Sequence, residues 1–584
     1  MLTRFFRFSF TRGFSSCPMK RKYGPISLDP QKKRAMTATL PTITLNPREE
    51  QLKGLLLDVA RFIDENPPPA TTTAAEDGNS DGVSTAKAIP EPVVLRWAGG
   101  WVRDKLLGIE SHDIDTAINC MTGEAFVLHL RAFCDTPAHR ERHSIGPDDV
   151  GSLHKIARNP EKSKHLETTT TRLFGLDVDF VNLRRETYTE ESRNPQMEFG
   201  TAEEDALRRD ATVNALFYNL HTSQVEDFTG GLEDMREKLI RTPLEPLQTF
   251  TDDPLRVLRL VRFASRLEFS IDPGAEGVMG DSRVLNALRL KISRERVGVE
   301  LEKMLKGSNP VDALKLIDRL GLYHTIFTDP ARAEMPAPDI SNWSAAYLCL
   351  DSLARNNTPG SIYQLLVTSE EAKSNAWALA ALAPWEQLPD EPVVEGRKPA
   401  LPLAIQAAKK GFKAPNKLCD IVAAGHRHRS NILELKDIVH TEQPSMKERD
   451  RFGMAVREWD SRGGNWRLQV LYVILADVEA RADNGSPEKP AGQKRGGAVP
   501  VEEVLAEWQR FLDHLIELDV MDAPSLKRLV DGHLLTKALG VKPGKWLGDA
   551  LDVATAWQLR NPGVTDSAGA VEEVRKRKKE LGIK

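Results

Sequence analysis

Cysteine is scarce and scattered. The chain of 584 residues has five, at positions 17, 120, 134, 349 and 419, and none forms a C-x-x-C pair. That argues against a zinc ribbon or a disulfide scaffold and suits a reducing compartment. Long apolar runs are absent too: none approaches the ~20 residues of a membrane-spanning helix. Positive charge is not in excess, because the formal net charge is −4. Any nucleic-acid partner must therefore be held by a local basic surface, since phosphate contacts dominate that kind of affinity. Acidic residues are missing from the first 24 residues, which carry arginine, serine and phenylalanine. An acid-free, Arg-rich start suits a mitochondrial transit peptide, and the bland alternative is a disordered basic tail. Met19 and Met36 offer later starts, so one gene could serve the mitochondrion and also the cytosol or nucleus.

What is present divides the chain. About two-fifths is hydrophobic, enough for a sizeable core, and the length predicts several domains. Residues 1–35 read as the transit-like segment, and 36–90 as one helix followed by a Pro/Thr/Ala-rich insertion that cannot build a core. Residues 91–231 alternate between strand-like runs ("VVLRWA", "DIDTAI", "LFGLDVDFVNL", "NALFYNL") and short helices. From "GGLEDMREKLI" onward the periodicity is almost wholly helical. It predicts a neck over 232–335, a body over 336–480, a Gly/Pro-rich linker over 481–500 and a helical tail over 501–584. The expected fold class is α+β: a small head with a mixed β-sheet, then a long all-α remainder.

The stretch "LRWAGGWVRDKLLGIESHDIDTAI" carries the chemistry. Residues two apart on a strand share a face, so Asp113 and Asp115 point the same way. Two carboxylates held together repel unless a cation lies between them. Magnesium suits, because it is bound by one or two carboxylates plus substrate phosphates. Taken alone, D-x-D also describes an exposed strand with two solvated acids. Gly99 and Gly100 let the backbone approach a ligand, and Arg103 on the next turn could reach a phosphate. A glycine turn, an arginine and a paired carboxylate in one unit fit a nucleoside triphosphate held with two metals.

At this point the motifs resemble those of the class II tRNA nucleotidyltransferases, the CCA-adding enzymes of the polymerase β superfamily. "GGWVRDKLLG" with "SHDID" resembles the first motif. "EFGTAEEDALRRDATVNALFYN" resembles the second, with Arg208, Arg209, Asp210 and Asn214. "DFTGGLEDMREKLIRTP", "DDPLRVLRLVRFASRL" and "ISRERVGVELEKML" follow in order as the third, fourth and fifth. The resemblance is close over residues 91–310, and "LVDGHLLTKALGVKPGKWLGDAL" is similar to the family's tail. It implies template-independent addition of C, C and A to the tRNA 3′ end from CTP and ATP, with Mg2+. It implies phosphate contacts for Arg208 and Arg209, and a ribose-hydroxyl contact for Asp210.

Asp253 and Arg256 can also be read physically, as i and i+3 of one helix. A carboxylate accepts hydrogen bonds and a guanidinium donates them. Cytosine and adenine each offer an amino donor beside a ring-nitrogen acceptor, which the pair complements. Uracil and guanine present the reverse pattern. The competing reading is a surface salt bridge, which is worth little. Arg259 and Arg262 continue the helix and face either the triphosphate, the tRNA end or solvent. Asp179, in the second D-x-D with Asp177, is a candidate third carboxylate or an acid at a sheet edge. "DFTGG", with Asp227, Gly230 and Gly231, reads as a flexible joint. Lys542 and Lys545 flank a Pro-Gly turn, and the C-terminal "VRKRKKELGIK" is basic; both suggest tRNA backbone contacts, beside the alternative of a solvated tail. Rival functions are a poly(A) polymerase, an enzyme adding only CC or only A, and a catalytically dead RNA-binding protein. The last would have lost Asp113, Asp115, Asp253 or Arg256, and all four are present. The sequence leaves the oligomeric state open.

Overall fold

Asn46 opens the first described helix, α1 (Pro47–Glu65), with a reciprocal cap. Its Oδ1 accepts from the Glu49 N–H at 3.0 Å, and its own N–H donates to Glu49 Oε2 at 2.8 Å. Such a cap is worth about 1 kcal/mol. The computed structural model describes residues 41–66, 91–151, 154–156, 168–189, 192–332, 334–392, 400–481 and 499–583. The transit-like segment, the insertion after α1 and most of the expected linker lie outside the described residues.

The chain divides into two units, with the break after Asp234. The first is built on a seven-stranded mixed sheet. Its strands are β1 (Leu95–Ala98), β2 (Asp113–Ile118), β3 (His154–Ile156), β4 (Thr168–Leu173), β5 (Leu176–Asn182), β8 (Leu216–Asn219) and β9 (Gln224–Asp227). A separate hairpin is made of β6 (Arg184–Thr189) and β7 (Ser192–Phe199). The sheet order is β3-β4-β5-β2-β1-β8-β9, and β2 and β5 are its parallel neighbours. Where one continuous strand was expected in "LFGLDVDFVNL", the chain turns at Phe174 and Gly175, both at positive φ, and makes the β4–β5 hairpin.

Alternation decides which face is covered. On β2 and β5, Ile114, Val178 and Phe180 are buried. Helix α3 (Gly123–Asp135) lies on that face, with Phe126 stacked on Phe180 at 5.3 Å, and α1 packs on α3. The predicted N-terminal helix is thus part of the head. The opposite face is closed only at one end. There Ala117, Val181 and Phe217 pack under Ala202 and Ala206 of α4 (Ala202–Leu207). At the other end of β2 the same face carries Asp113 and Asp115, both exposed.

In the second unit a two-stranded parallel pair, β10 (Leu239–Ile240) and β11 (Ser270–Ile271), interrupts the expected run of helices. Helices α5 (Pro246–Asp252), α6 (Leu255–Leu267) and α7 (Arg294–Leu305) follow the motif order, and α6 packs on α7. Farther on, α8 (Asn416–His440) and α10 (Val501–Glu517) enclose α9 (Trp466–Arg481), which is buried almost all round. The tail helices α11 (Gly532–Leu539), α12 (Trp546–Arg560) and α13 (Ala568–Lys576) share their own apolar cluster. No described helix is long and apolar enough to cross a membrane.

Candidate functional site

The parallel register sets the acidic face. Asp113 pairs with Asp177 and Asp115 with Asp179, so four carboxylates occupy one face of two adjoining strands. Asp179 is not at a sheet edge, because β5 lies between β4 and β2. Its Oδ1 accepts from Thr170 Oγ1 at 2.5 Å. Protein mass around Asp115, though solvent still reaches it, pushes its carboxyl above the usual carboxylate value; Arg209 opposes this, while Asp179, Asp113 and Asp205 add to it. A bound cation relieves that repulsion. Among the described residues no group of three or more His, Cys, Asp or Glu forms a metal cage. A site with few protein ligands is the kind magnesium takes, its remaining positions going to phosphates and water.

Gly99 is the N-cap of helix α2 (Gly100–Leu106) and has φ +71°. A β-carbon built on it would lie 2.8 Å from Arg209 Nη1, 3.6 Å from the Asn214 carbonyl oxygen and 3.8 Å from Asp115 Oδ2. The backbone conformation calls for glycine here, whereas the Arg209 contact is with the movable end of a side chain. At Gly100 the nearest atom, Arg103 Nη2, would be at 3.6 Å, an ordinary contact.

Arg103 is tied to the protein on both sides. It is buried, donates through Nε to Asp104 Oδ1 at 2.8 Å, and bonds Asn214 Oδ1 through Nη1. Asn214 Nδ2 donates in turn to Asp210 Oδ1 at 3.4 Å. The first and second motifs are thus joined by a buried polar chain, with Arg103 as its bracket.

Arg208 and Arg209 are gathered by Asp205, which sequence reasoning passed over although it stands three and four residues before them on a helical turn. Asp205 Oδ1 accepts from Arg208 Nε at 2.9 Å, and its Oδ2 from Arg209 Nε at 3.1 Å. Burial raises the Asp205 carboxyl, but Arg209 and Arg208 outweigh it and hold the group below the usual range. Arg209 also donates to the Asn214 carbonyl at 3.0 Å. "DFTGG" is a closely bonded turn: Asp227 Oδ1 accepts from the N–H groups of Thr229, Gly230 and Gly231 at 2.9–3.1 Å, and Oδ2 from Leu232 at 3.0 Å.

In the second unit, Asp253 is not on the helix with Arg256. It lies between α5 and α6 in an extended conformation, φ −134° and ψ 97°, with Pro254 as the N-cap of α6. The residue before a proline is pushed out of the helical region, which is the physical cause. Asp253 Oδ1 accepts from the Leu255 N–H and Oδ2 from Arg296 Nη2, each at 3.2 Å. Arg256 is buried in the first turn of α6. Arg262 Nε lies 2.6 Å and Arg259 Nη1 3.6 Å from the buried carboxylate of Glu300 on α7. These two arginines join helices, where a role toward ligand was one expectation. In the tail, Lys542 and Lys545 are exposed, while Arg575 and Arg577 pair with Glu572 and Glu573 of their own helix.

Residues 95–241 match the family described as Poly A polymerase head domain, and residues 285–334 the one described as Probable RNA and SrmB- binding site of polymerase A. Nucleotidyltransferase lcsQ of Purpureocillium lilacinum is 56% identical over 94% of this chain and 94% of its own. The mitochondrial CCA tRNA nucleotidyltransferase of Saccharomyces cerevisiae is 38% identical over 82% of this chain and 87% of its own. A CCA-adding enzyme solved in complex with CTP shares the fold, with a TM-score of 0.56 at 18% identity over 92% of this chain and 96% of that one. Long relatives, head motif and fold agree: the chain belongs to the family of CCA tRNA nucleotidyltransferases, the CCA-adding enzymes of the polymerase β superfamily.

Proposed function

We propose that this chain adds C, C and A in turn to the 3′ end of tRNA, using CTP and ATP and releasing pyrophosphate. The observation that carries the reading is the carboxylate face at Asp113 and Asp115, in a chain whose long relatives bear that activity in their names. The 3′-hydroxyl oxygen of tRNA attacks the α-phosphorus, and the bond from that phosphorus to the bridging oxygen of the β-phosphate breaks. Asp113 and Asp115 would hold Mg2+, which when bound activates the attacking hydroxyl and stabilises the leaving pyrophosphate. Asp179, in register with Asp115, is the candidate third carboxylate.

Arg209, fixed by Asp205, supplies positive charge beside Asp115 for the triphosphate. Arg208 shares that anchor. Asp210 serves the ribose hydroxyl, steadied by Asn214. Asp253 and Arg256 read the base: the carboxylate accepts from the amino group of C or A, and the guanidinium donates to the adjacent ring nitrogen. Gly99, Gly100 and Arg103 shape the turn, and Arg259 and Arg262 hold the selecting helix in place. The tail, with Lys542 and Lys545, contacts the tRNA backbone. Two yeast relatives are named as mitochondrial, which supports a mitochondrial address, with cytosolic and nuclear products from later starts.

The test is nucleotide incorporation on a tRNA lacking its CCA, first with each triphosphate alone and then with all four competing. The wild type should add C, C and A and stop. A product of A alone, or a poly(A) run, would replace this reading with one of the related activities. Asp253→Ala and Arg256→Ala should each weaken discrimination against U and G about tenfold, the worth of one buried polar contact. Unchanged preference in both would remove the side-chain template.

A further inference from the structure

Both oxygens of the Asp253 carboxylate already have partners from different parts of the chain. The Leu255 N–H holds Oδ1 from the start of α6, and Arg296 holds Oδ2 from α7, each at 3.2 Å. Arg296 belongs to the fifth motif, 43 residues beyond the acid it grips. One helical turn farther along α7, Glu300 receives Arg262 of α6 at 2.6 Å. Residues four apart share a helix face, so α7 presents first a cation and then an anion to the α5–α6 segment. The second tie ends on a buried carboxylate and fixes the helices against each other. The first ends on the carboxylate itself, and Arg296 remains partly exposed, with 28% of its side-chain surface open.

We propose that Arg296 is a positioning residue for base choice: it sets the plane of the Asp253 carboxylate and thereby makes that group a strict acceptor. This rests on the reading of Asp253 as part of the base template. The terminal torsion of an aspartate is broad, so one hydrogen bond leaves the carboxylate free to turn. Two bonds, one at each oxygen, stop the rotation. A carboxylate offers about four lone-pair sites, and two are used here, leaving the others aimed in fixed directions. An amino group of C or A meets one of them. A carbonyl of U or G meets the same lone pair and cannot be relieved, because the carboxylate cannot swing away. Without Arg296 it can swing, and the penalty against the wrong base shrinks. An arginine that only held two helices together would change rate or stability and leave the ranking of bases untouched.

The experiment is the four-triphosphate competition on a tRNA lacking its CCA, run on the full chain with Arg296→Ala, Arg296→Gln, Arg296→Lys and Asp253→Ala. Arg296→Ala should raise the share of U and G about tenfold relative to C and A. Arg296→Lys, which keeps a charged donor, should restore most of the discrimination. Preference within about twofold of wild type in Arg296→Ala, alongside relaxed choice in Asp253→Ala, overturns this inference and leaves the template standing. Unchanged preference in Asp253→Ala overturns the template and this inference with it. If Arg296→Ala does not fold, Arg296→Gln carries the same arms, since its shorter neutral side chain lacks the reach and charge of the grip. Loss of rate with an unchanged ranking of bases in both counts against the proposal.

Discussion

Asp115 shows how a residue can be costly alone and useful in company. Its carboxyl is held above the ordinary value by its surroundings and by neighbouring acids, Asp179 first among them. The sign of the consequence follows from linkage. A carboxyl whose folded value is raised binds a proton more readily in the folded chain, so folding loses stability as pH rises from the unfolded value toward the folded one. At neutral pH, without divalent cation, ionised Asp115 therefore works against the fold. Asp115→Asn should raise the melting temperature of the metal-free protein at pH 7, and the gain should vanish below about pH 3.9, where the aspartate is neutral in both states. Added magnesium should stabilise wild type and leave the variant little changed. The same variant should add neither C nor A. Calorimetry with and without magnesium checks the first part and incorporation the second; a variant that melts lower at pH 7 would count against like-charge repulsion at this face. The D-x-D pattern was legible in the sequence because alternation is local. Asp179 could be named from the second D-x-D, but its place beside Asp115 could not, because that depends on the order of strands in the sheet.

At the scale of elements, local signals succeeded where the cause was local. The glycine turn, α2 and β2 follow from Gly99, Gly108 and the alternation of "DIDTAI". The β4–β5 hairpin was hidden because "LFGLDVDFVNL" reads as one apolar run, with Phe174 taking a left-handed conformation that its type rarely adopts. The break at Asp253 had a signal in Pro254, which the helical periodicity of the following residues masked. Arg262 has its partner, Glu300, on another helix, and no spacing in the sequence could show it. The pair predicts a stability effect. Removing Arg262 strands a buried carboxylate, a change that costs about 3 kcal/mol when no other cation compensates, and Arg259 at 3.6 Å should recover part of it. Arg262→Ala should thus shift the denaturant midpoint clearly, and Arg262→Ala with Glu300→Gln should be less destabilised than the single variant. Were Arg262 a triphosphate ligand, the single variant would instead keep its midpoint and raise the KM for CTP and ATP together.

Across the whole molecule, the division into an α/β head and a helical remainder was visible from the change of period, and the break after Asp234 falls within the third motif. Packing inside each unit was not visible: nothing in the sequence marked α1 as part of the head. That placement has a consequence for targeting. Asn46 and Glu49 cap α1, and Glu49 Oε2 lies 2.7 Å from Lys105 Nζ on α2, so the folded head needs the chain from about Asn46 onward. An address that ends before Asn46 should be separable from the enzyme. A chain starting at Met36 should therefore add C, C and A in vitro at the wild-type rate and with wild-type base choice. A reporter fused to residues 1–35 should enter mitochondria, because its arginines favour import and its first 28 residues carry no acid. The Met36 product should stay outside. Imaging of the two fusions beside an incorporation assay of the shortened chain decides the point. A cytosolic reporter would remove the dual address, and a shortened chain that fails to fold would place the first residues within the head's own structure.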